Sequence, residues 1–182
     1  IRLLGKHQVL NALLAIAVGM ELGVSRNEIR AGLQSCHPAK MRMQLWEADG
    51  VRVLDDSYNA NVDSVLAALQ TLSELPAQGR KVAVLGDMAE LGAHAAASHA
   101  ETGRRAAELK IDHILAVGKM ASETANGARN AGCTNVLEAA DVETAGPILK
   151  NLVKPGDLVL LKASRSTQLE RIGEFLKGGA AQ

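Results

Sequence analysis

VRVLDDSYNANVDSVLAAL, residues 51–69, is the stretch on which the reading of the fold turns. Val51 to Leu54 read as a strand, and from Val62 onward Val62, Val65, Leu66, Leu69 and Leu72 keep helical spacing. Strand, polar loop and helix make the first arm of a parallel α/β unit. The loop packs Asp55, Asp56, Ser57, Tyr58, Asn59 and Asn61 together with only Ala60 between them. In open α/β sheets ligands sit outside the carboxyl ends of strands, where this loop lies. Asn61 serves as a helix N-cap, and Asx residues also stabilise turns. A cap uses one residue, however, and leaves two adjacent carboxylates and the single tyrosine of the chain pointing to binding or catalysis.

Upstream, Met41 to Ala48 (MRMQLWEA) and Val51 to Leu54 flank Asp49-Gly50, a pair that favours the tight turn of a hairpin. Downstream the pattern alternates. Lys81 to Gly86 (KVAVLG), His113 to Gly118 (HILAVG), Asn135 to Leu137 and Leu158 to Leu161 are short apolar runs of the kind that form buried parallel strands. Between them, Ser98 and Glu101 read as a capping box that starts a helix to about Leu109. Met120 to Ala131 is an Ala-rich helix, and Asp141 to Val153 a helix with Pro147 in its first turn or at a kink. Leu169, Ile172, Phe175 and Leu176 mark a last helix, and the tail GGAAQ is expected to lack order. This alternation predicts an α/β fold: a Rossmann-like, mostly parallel sheet with an antiparallel edge hairpin and helices on both faces.

The first forty residues differ. Leu10, Leu13, Leu14, Ala17 and Met20 keep helical spacing up to a Gly23 stop. Ser25 with Glu28 forms a capping box for a second helix whose buried stripe is Ile29, Leu33 and Cys36. Two helices without an intervening strand place a boundary near residues 37–41, separating 1–40 from 41–182.

With 47% hydrophobic residues the chain can bury a core, and with one Trp, one Tyr and one Phe that core is aliphatic. Twenty basic residues balance twenty acidic ones without a Lys/Arg stripe, so no nucleic-acid partner is expected. The longest apolar run, Val9 to Met20, is too short to span a bilayer, so no membrane insertion is expected. Cys36 and Cys133 stand in no metal or redox spacing and read as small buried hydrophobes of a cytoplasmic protein.

Three strand ends carry the chemistry, and the fold places them on one rim: the Asp55–Asn61 loop, GDMAELG at 86–92, and KASRS at 162–166 leading into a helix. Neither G-x-x-x-x-G-K-[ST] nor G-x-G-x-x-G occurs, so the chain holds no self-contained phosphate cradle. His94 and His99 are five apart, off a common helical face, and read as solvated residues.

DDSYNANVDS at 55–64, GDMAELG at 86–92 and KASRS at 162–166 together resemble the C-terminal domain of the Mur ligases. Upstream, GKHQVLNALLAIA at 5–17 resembles the motif G-x-H-N-x-x-N-A that closes the central ATPase domain of that family. PAKMRM at 38–43 resembles the segment bearing its nucleotide-contacting arginine. Gln8, Val62 and Ala163 stand where the family usually has Asn, Pro and Gly. The motifs point to the member that joins D-alanyl-D-alanine to UDP-MurNAc-tripeptide in peptidoglycan synthesis. The resemblance implies that residues 1–40 are a remnant of the central domain and 41–182 the C-terminal substrate-binding domain. It also implies that the N-terminal and central domains of the same protein are missing partners, and that the chain alone is inactive.

In the family, ATP phosphorylates the tripeptide carboxylate and the dipeptide amine attacks the acyl phosphate. The principal ATP and Mg2+ ligands lie outside these residues, and no metal ligand is expected within them. By carry-over, Asn11 lies near the adenine, Arg42 reaches the phosphates and Asp56 holds the ribose hydroxyls, with Tyr58 and Asn59 shaping that loop. Arg42 and Asp56 are the candidate catalytic residues, because arginine offers a fixed fork to phosphate oxygens and stabilises charge that develops in transfer. The other loops are assigned the dipeptide on charge: Asp87 and Glu90, with Met88 between them, for its ammonium, and Lys162, Ser164 and Arg165 for its carboxylate. Two alternatives stand beside this reading. One is a sister amide ligase, either another Mur ligase or a folylpolyglutamate synthase, distinguished by its amino substrate. The other is a free-standing Rossmann-like binding module, distinguished by the lack of a P-loop upstream.

Overall fold

The hairpin forms as its turn chemistry dictates. In a computed structural model, which describes residues 3–177, Asp49 and Gly50 both take positive φ (50° and 76°). They join β1 (Gln44–Ala48) to β2 (Val51–Asp56) in antiparallel register, Trp46 opposite Val53. β1 starts three residues later than its sequence suggests, because Met41 and Met43 have left-handed backbone (φ 57° and 50°). β2 runs two residues further, so Asp55 and Asp56 belong to the strand and not to the loop.

Asn61 caps α3 (Val62–Glu74): its side chain accepts the Ser64 N–H while the Ser64 hydroxyl accepts the Asn61 N–H. The chain then alternates through β3 (Lys81–Gly86), α4 (Ala95–Glu108), β4 (His113–Val117), α5 (Ala121–Asn130), β5 (Val136–Ala139), α6 (Val142–Leu152), β6 (Leu158–Lys162) and α7 (Ile172–Lys177). Strand order is β1-β2-β6-β3-β4-β5, with every pair after the hairpin parallel. The last strand therefore lies between the second and the third. Alternate residues of the apolar runs face opposite sides. Leu54, Ala83, Ile114 and Leu160 pack with α3, α4 and α5, while Val53, Val84, Leu115 and Val159 pack with α6 and α7. Burial on both faces is why these strands read as continuous apolar runs rather than alternating ones.

Several sequence expectations change. α4 starts at Ala95, directly after a 3₁₀ turn at Gly92–His94, so Ser98 lies inside the helix and caps nothing; Glu101 pairs with Arg104 instead. Pro147 falls in the second turn of α6, where it deprives the Glu143 carbonyl of an intrahelical donor. α5 forms within the span its sequence indicates, and it sits close against α4: a Cβ at Gly127 would lie 1.9 Å from the Ala100 carbonyl oxygen, and one at Gly103 1.9 Å from that of Thr124. The two helices pack backbone to backbone, which small residues permit. The tail GGAAQ lies outside the described residues.

The two leading helices, α1 (His7–Glu21) and α2 (Arg26–Ser35), form with the expected Gly23 stop and Ser25–Glu28 capping box, yet contain no buried residue. Leu10, Leu13, Leu14, Val18 and Met20 are exposed. Ile29 and Leu33 are only half-buried and Cys36 is exposed, so the buried stripe expected of α2 is not formed by the described residues; Cys133 is half-buried. No helix among the described residues is long and apolar enough to cross a membrane.

Candidate functional site

β2, β6 and β3 are parallel neighbours, so their carboxyl ends, and the three polar loops that extend from them, lie side by side. Ser164, just past β6 and 2% exposed, ties the three together. Its backbone N–H donates to the Asp87 carbonyl (2.9 Å), its hydroxyl donates to the Ala60 carbonyl (3.2 Å), and the Ala89 N–H donates to the same hydroxyl (2.8 Å). The convergence comes from strand order. β6 leads into helices on one face of the sheet, while β2 and β3 lead into helices on the other. The chain thus diverges on both sides of the β6 end, and the crevices open there.

The first crevice is a cavity of about 450 Å³ whose lining includes Asn11, Arg42, Asp56, Tyr58, Asn59 and Lys162, together with His7, Gln8 and Asn61. All five residues assigned to the nucleotide thus meet at one place. The Arg42 guanidinium lies 4.2 Å from the centre of the Tyr58 ring and makes no ion pair with a described residue. Asp56 is engaged on both oxygens. One accepts the Met43 N–H (3.1 Å) and the other pairs with Lys162 Nζ (2.6 Å), which also donates to the Asn59 carbonyl (2.7 Å). Asn11 donates to Gln8 across one helical turn (3.0 Å), so the Gln in the upstream motif contacts the asparagine it precedes.

The carboxylate doublet splits, because successive strand residues point to opposite faces. Asp56 turns into the cavity. Asp55 turns to the other side, into a groove shared with Trp46 and Glu170, where burial pushes its carboxyl above the usual range against hydrogen bonds from the Ser57 N–H and hydroxyl.

A second cavity, of about 480 Å³, opens beyond the carboxyl ends of β3, β4 and β5. Asp87 and Met88 line it with Lys119, Glu143, Thr167 and Arg171. The Asp87 carboxylate accepts the N–H groups of Lys119 and Met120 (both 2.9 Å) and so fixes the turn that leads into α5. Gly118, at φ 111°, is the neighbour this requires, since a Cβ there would lie 2.6 Å from the carboxylate. Arg171 pairs with Glu143 at the rim (2.6 Å).

The remaining residues assigned to the dipeptide lie elsewhere. Lys162 lines the first cavity, and Ser164 is buried between the loops. Arg165 pairs with Glu170, and Glu90 is exposed outside both linings. His99, read from the sequence as solvated, is 2% exposed. Its Nε2 accepts the Met88 N–H (2.9 Å), so its proton sits on Nδ1 and meets the Ala95 carbonyl (2.7 Å). A start of α4 at Ala95 would have turned His99 inward in the sequence reading; His94 stays exposed. Among the described residues no group of three or more His, Cys, Asp or Glu side chains is placed to hold a metal ion.

Fold and site thus define a doubly wound α/β domain with two cavities on its carboxyl rim. The chain belongs to the Mur ligase family: residues 41–165 match the family model described as Mur ligase, glutamate ligase domain. Among its most similar relatives, the UDP-N-acetylmuramoyl-tripeptide–D-alanyl-D-alanine ligase of Mycobacterium leprae (strain TN) is 40% identical over 195 residues, covering 97% of this chain and 38% of that protein. The crystal structure of MurF from Acinetobacter baumannii superposes with a TM-score of 0.84 at 36% identity, over 95% of this chain and 38% of that one. MurF from Thermotoga maritima in complex with ADP superposes at 0.79 and 28% identity, over 96% and 39%. The chain spans about 38% of the length of the curated relatives it matches.

Proposed function

We propose that this chain is the carboxy-terminal part of a cytoplasmic, ATP-dependent ligase that joins D-alanyl-D-alanine to UDP-MurNAc-tripeptide, and that it is inactive alone. The observation that carries the reading is the meeting of Asn11, Arg42, Asp56, Tyr58 and Asn59 around one cavity, one serine away from a second cavity. The names of the relatives supply the substrates. In the reaction the tripeptide carboxylate takes the γ-phosphoryl group of ATP and ADP leaves. The dipeptide amine then attacks the acyl carbon, loses a proton and expels phosphate.

The residues of this chain bind and orient. Arg42 meets phosphate oxygens with a planar, permanently charged fork held over Tyr58. Asp56 keeps acceptor capacity for ribose hydroxyls beyond its two internal partners, since a carboxylate has about four lone-pair sites. Asn11 offers its amide to the adenine. Mg2+ would take its principal ligands from outside this chain.

The dipeptide enters the second cavity. Its amine faces Asp87, and its carboxylate meets Lys119 and Arg171, the cations that line that space; Lys162 and Arg165 are turned away from it. Residues 1–40 belong to the preceding ATPase domain, a reading supported by helices that form yet contain no buried residue and expose an apolar face.

In the full-length enzyme, Arg42→Ala is expected to lower turnover by about 10²–10³-fold, the usual loss when a group stabilising transition-state charge is removed. Near-normal turnover sinks the assignment. Titration of this chain with D-alanyl-D-alanine is expected to move the amide signals of residues 86–92 and 118–120.

A further inference from the structure

Arg42 stands between two residues whose backbone occupies the left-handed region, Met41 (φ 57°) and Met43 (φ 50°). Neither is the glycine or asparagine that takes this conformation at little cost, so it persists only where the surroundings hold it. Both are held from the Asp56–Asn59 turn. The Tyr58 N–H donates to the Met41 carbonyl (3.1 Å), and the Met43 N–H donates to one Asp56 oxygen (3.1 Å). The other Asp56 oxygen pairs with Lys162 Nζ at 2.6 Å, and the same ammonium donates to the Asn59 carbonyl. The Lys162 side chain is 3% exposed and the Asp56 side chain 14%, whereas Arg42 is exposed. So buried an ammonium, with its bonds given to these two acceptors, is spent on fixing the turn.

We propose that Lys162 is a positioning residue for Arg42: through Asp56 it holds the Met41–Met43 backbone in the strained form that lays the guanidinium over Tyr58 and aims it into the first cavity. The kinetic consequence rests on the nucleotide reading of that cavity; the geometric coupling does not. A lysine that merely neutralised a carboxylate would affect stability and leave the Arg42 stack alone.

The test has two arms. In the first, this chain without nucleotide is studied by NMR, where the Tyr58 ring 4.2 Å from the guanidinium is expected to displace the δ-methylene protons of Arg42 upfield. In K162M they are expected to return to free-arginine positions while amide signals away from residues 41–61 stay in place. If K162M does not fold, D56N/K162M, which leaves no lone buried charge, is scored by the same signal. It is expected to show the same return, because the amide that replaces the Asp56 carboxylate has no ammonium to fix its rotamer. A folded variant that keeps the upfield signals overturns the proposal.

In the second arm, the ligase that carries this chain is assayed as a double-mutant cycle. K162M is expected to cost about 10–100-fold in turnover alone but less than about threefold in an R42A background. Full multiplication of the two losses overturns the proposal. Because the first arm contains no nucleotide, it decides the coupling even where the nucleotide reading of the cavity fails.

Discussion

Ser164→Ala is the sharpest probe of the joined rim. Removing one oxygen strands two backbone groups, the Ala89 N–H and the Ala60 carbonyl. They are not equivalent. Ala89 is exposed, so its N–H regains water, whereas Ala60 is 5% exposed and its carbonyl has no ready substitute. One lost hydrogen bond is worth about 1 kcal/mol and a buried unsatisfied carbonyl about 1–3 kcal/mol, giving an expected loss of about 2–4 kcal/mol. For a chain of this size that lowers Tm by about 4–16 °C. Urea unfolding measures the loss, and hydrogen exchange locates it: protection should fall at Ala89 and in residues 57–61 while β4 and β5 exchange as before. In the full-length ligase the same variant should raise KM for D-alanyl-D-alanine, since the loop of the second cavity loses its tie. A loss below about 0.5 kcal/mol with unchanged exchange at Ala89 would refute the claim that this hydroxyl holds the loops together.

Two further outcomes test the scaffold. Asp157 is 2% exposed, and although burial alone raises its pKa, hydrogen bonds from the Arg80 side chain and from the Arg80 and Lys154 N–H groups hold it below its ordinary value of 3.8. The unfolded chain therefore takes up the proton first as pH falls, so the stability Asp157 contributes is complete above pH 3.8 and lost through the more acidic range below it. Asp157→Asn should cost about 2 kcal/mol at pH 7, discounted because Arg80 is partly exposed, and should flatten that acid limb in urea titrations at stepped pH. Gly103→Ala places a methyl 1.9 Å from the Thr124 carbonyl oxygen, a backbone atom that can move only with its helix. The expected loss is about 3 kcal/mol by thermal unfolding, and a neutral result would mean that α4 and α5 are not packed backbone to backbone.

Much of this architecture was legible because local chemistry and tertiary demand agree. Asp49-Gly50 needs positive φ at both turn positions and gets it, KVAVLG has the continuous apolar character of a strand covered twice, and Asn61 caps α3. What was illegible depends on distance in the chain. Nothing in LVLL says that it slots between β2 and β3, and that placement is what takes Lys162 away from the second cavity and into the first. Ser98 and Glu101 satisfy the pattern of a capping box, but the 3₁₀ turn at Gly92–His94 starts the helix a turn earlier and buries His99. The doublet Asp55-Asp56 looked like one loop feature, and extending β2 by two residues sends its halves to opposite faces. Cys36 continued a helical stripe of which Ile29 and Leu33 are only half-buried and Cys36 itself is exposed.

The position of β6 also governs how the molecule is made. A chain emerging from the ribosome can pair β3 with β4 and β4 with β5 as each appears, but β2 stays unjoined to them until residues 158–162 arrive to bridge the gap. Nascent intermediates therefore carry two bare sheet edges, which favour association with other chains. Both crevices are completed only once that stretch and the loop after it are made, so a truncation at Asp157 would remove Lys162 from the first and Ser166, Thr167 and Arg171 from the second while leaving most of their other lining residues in place.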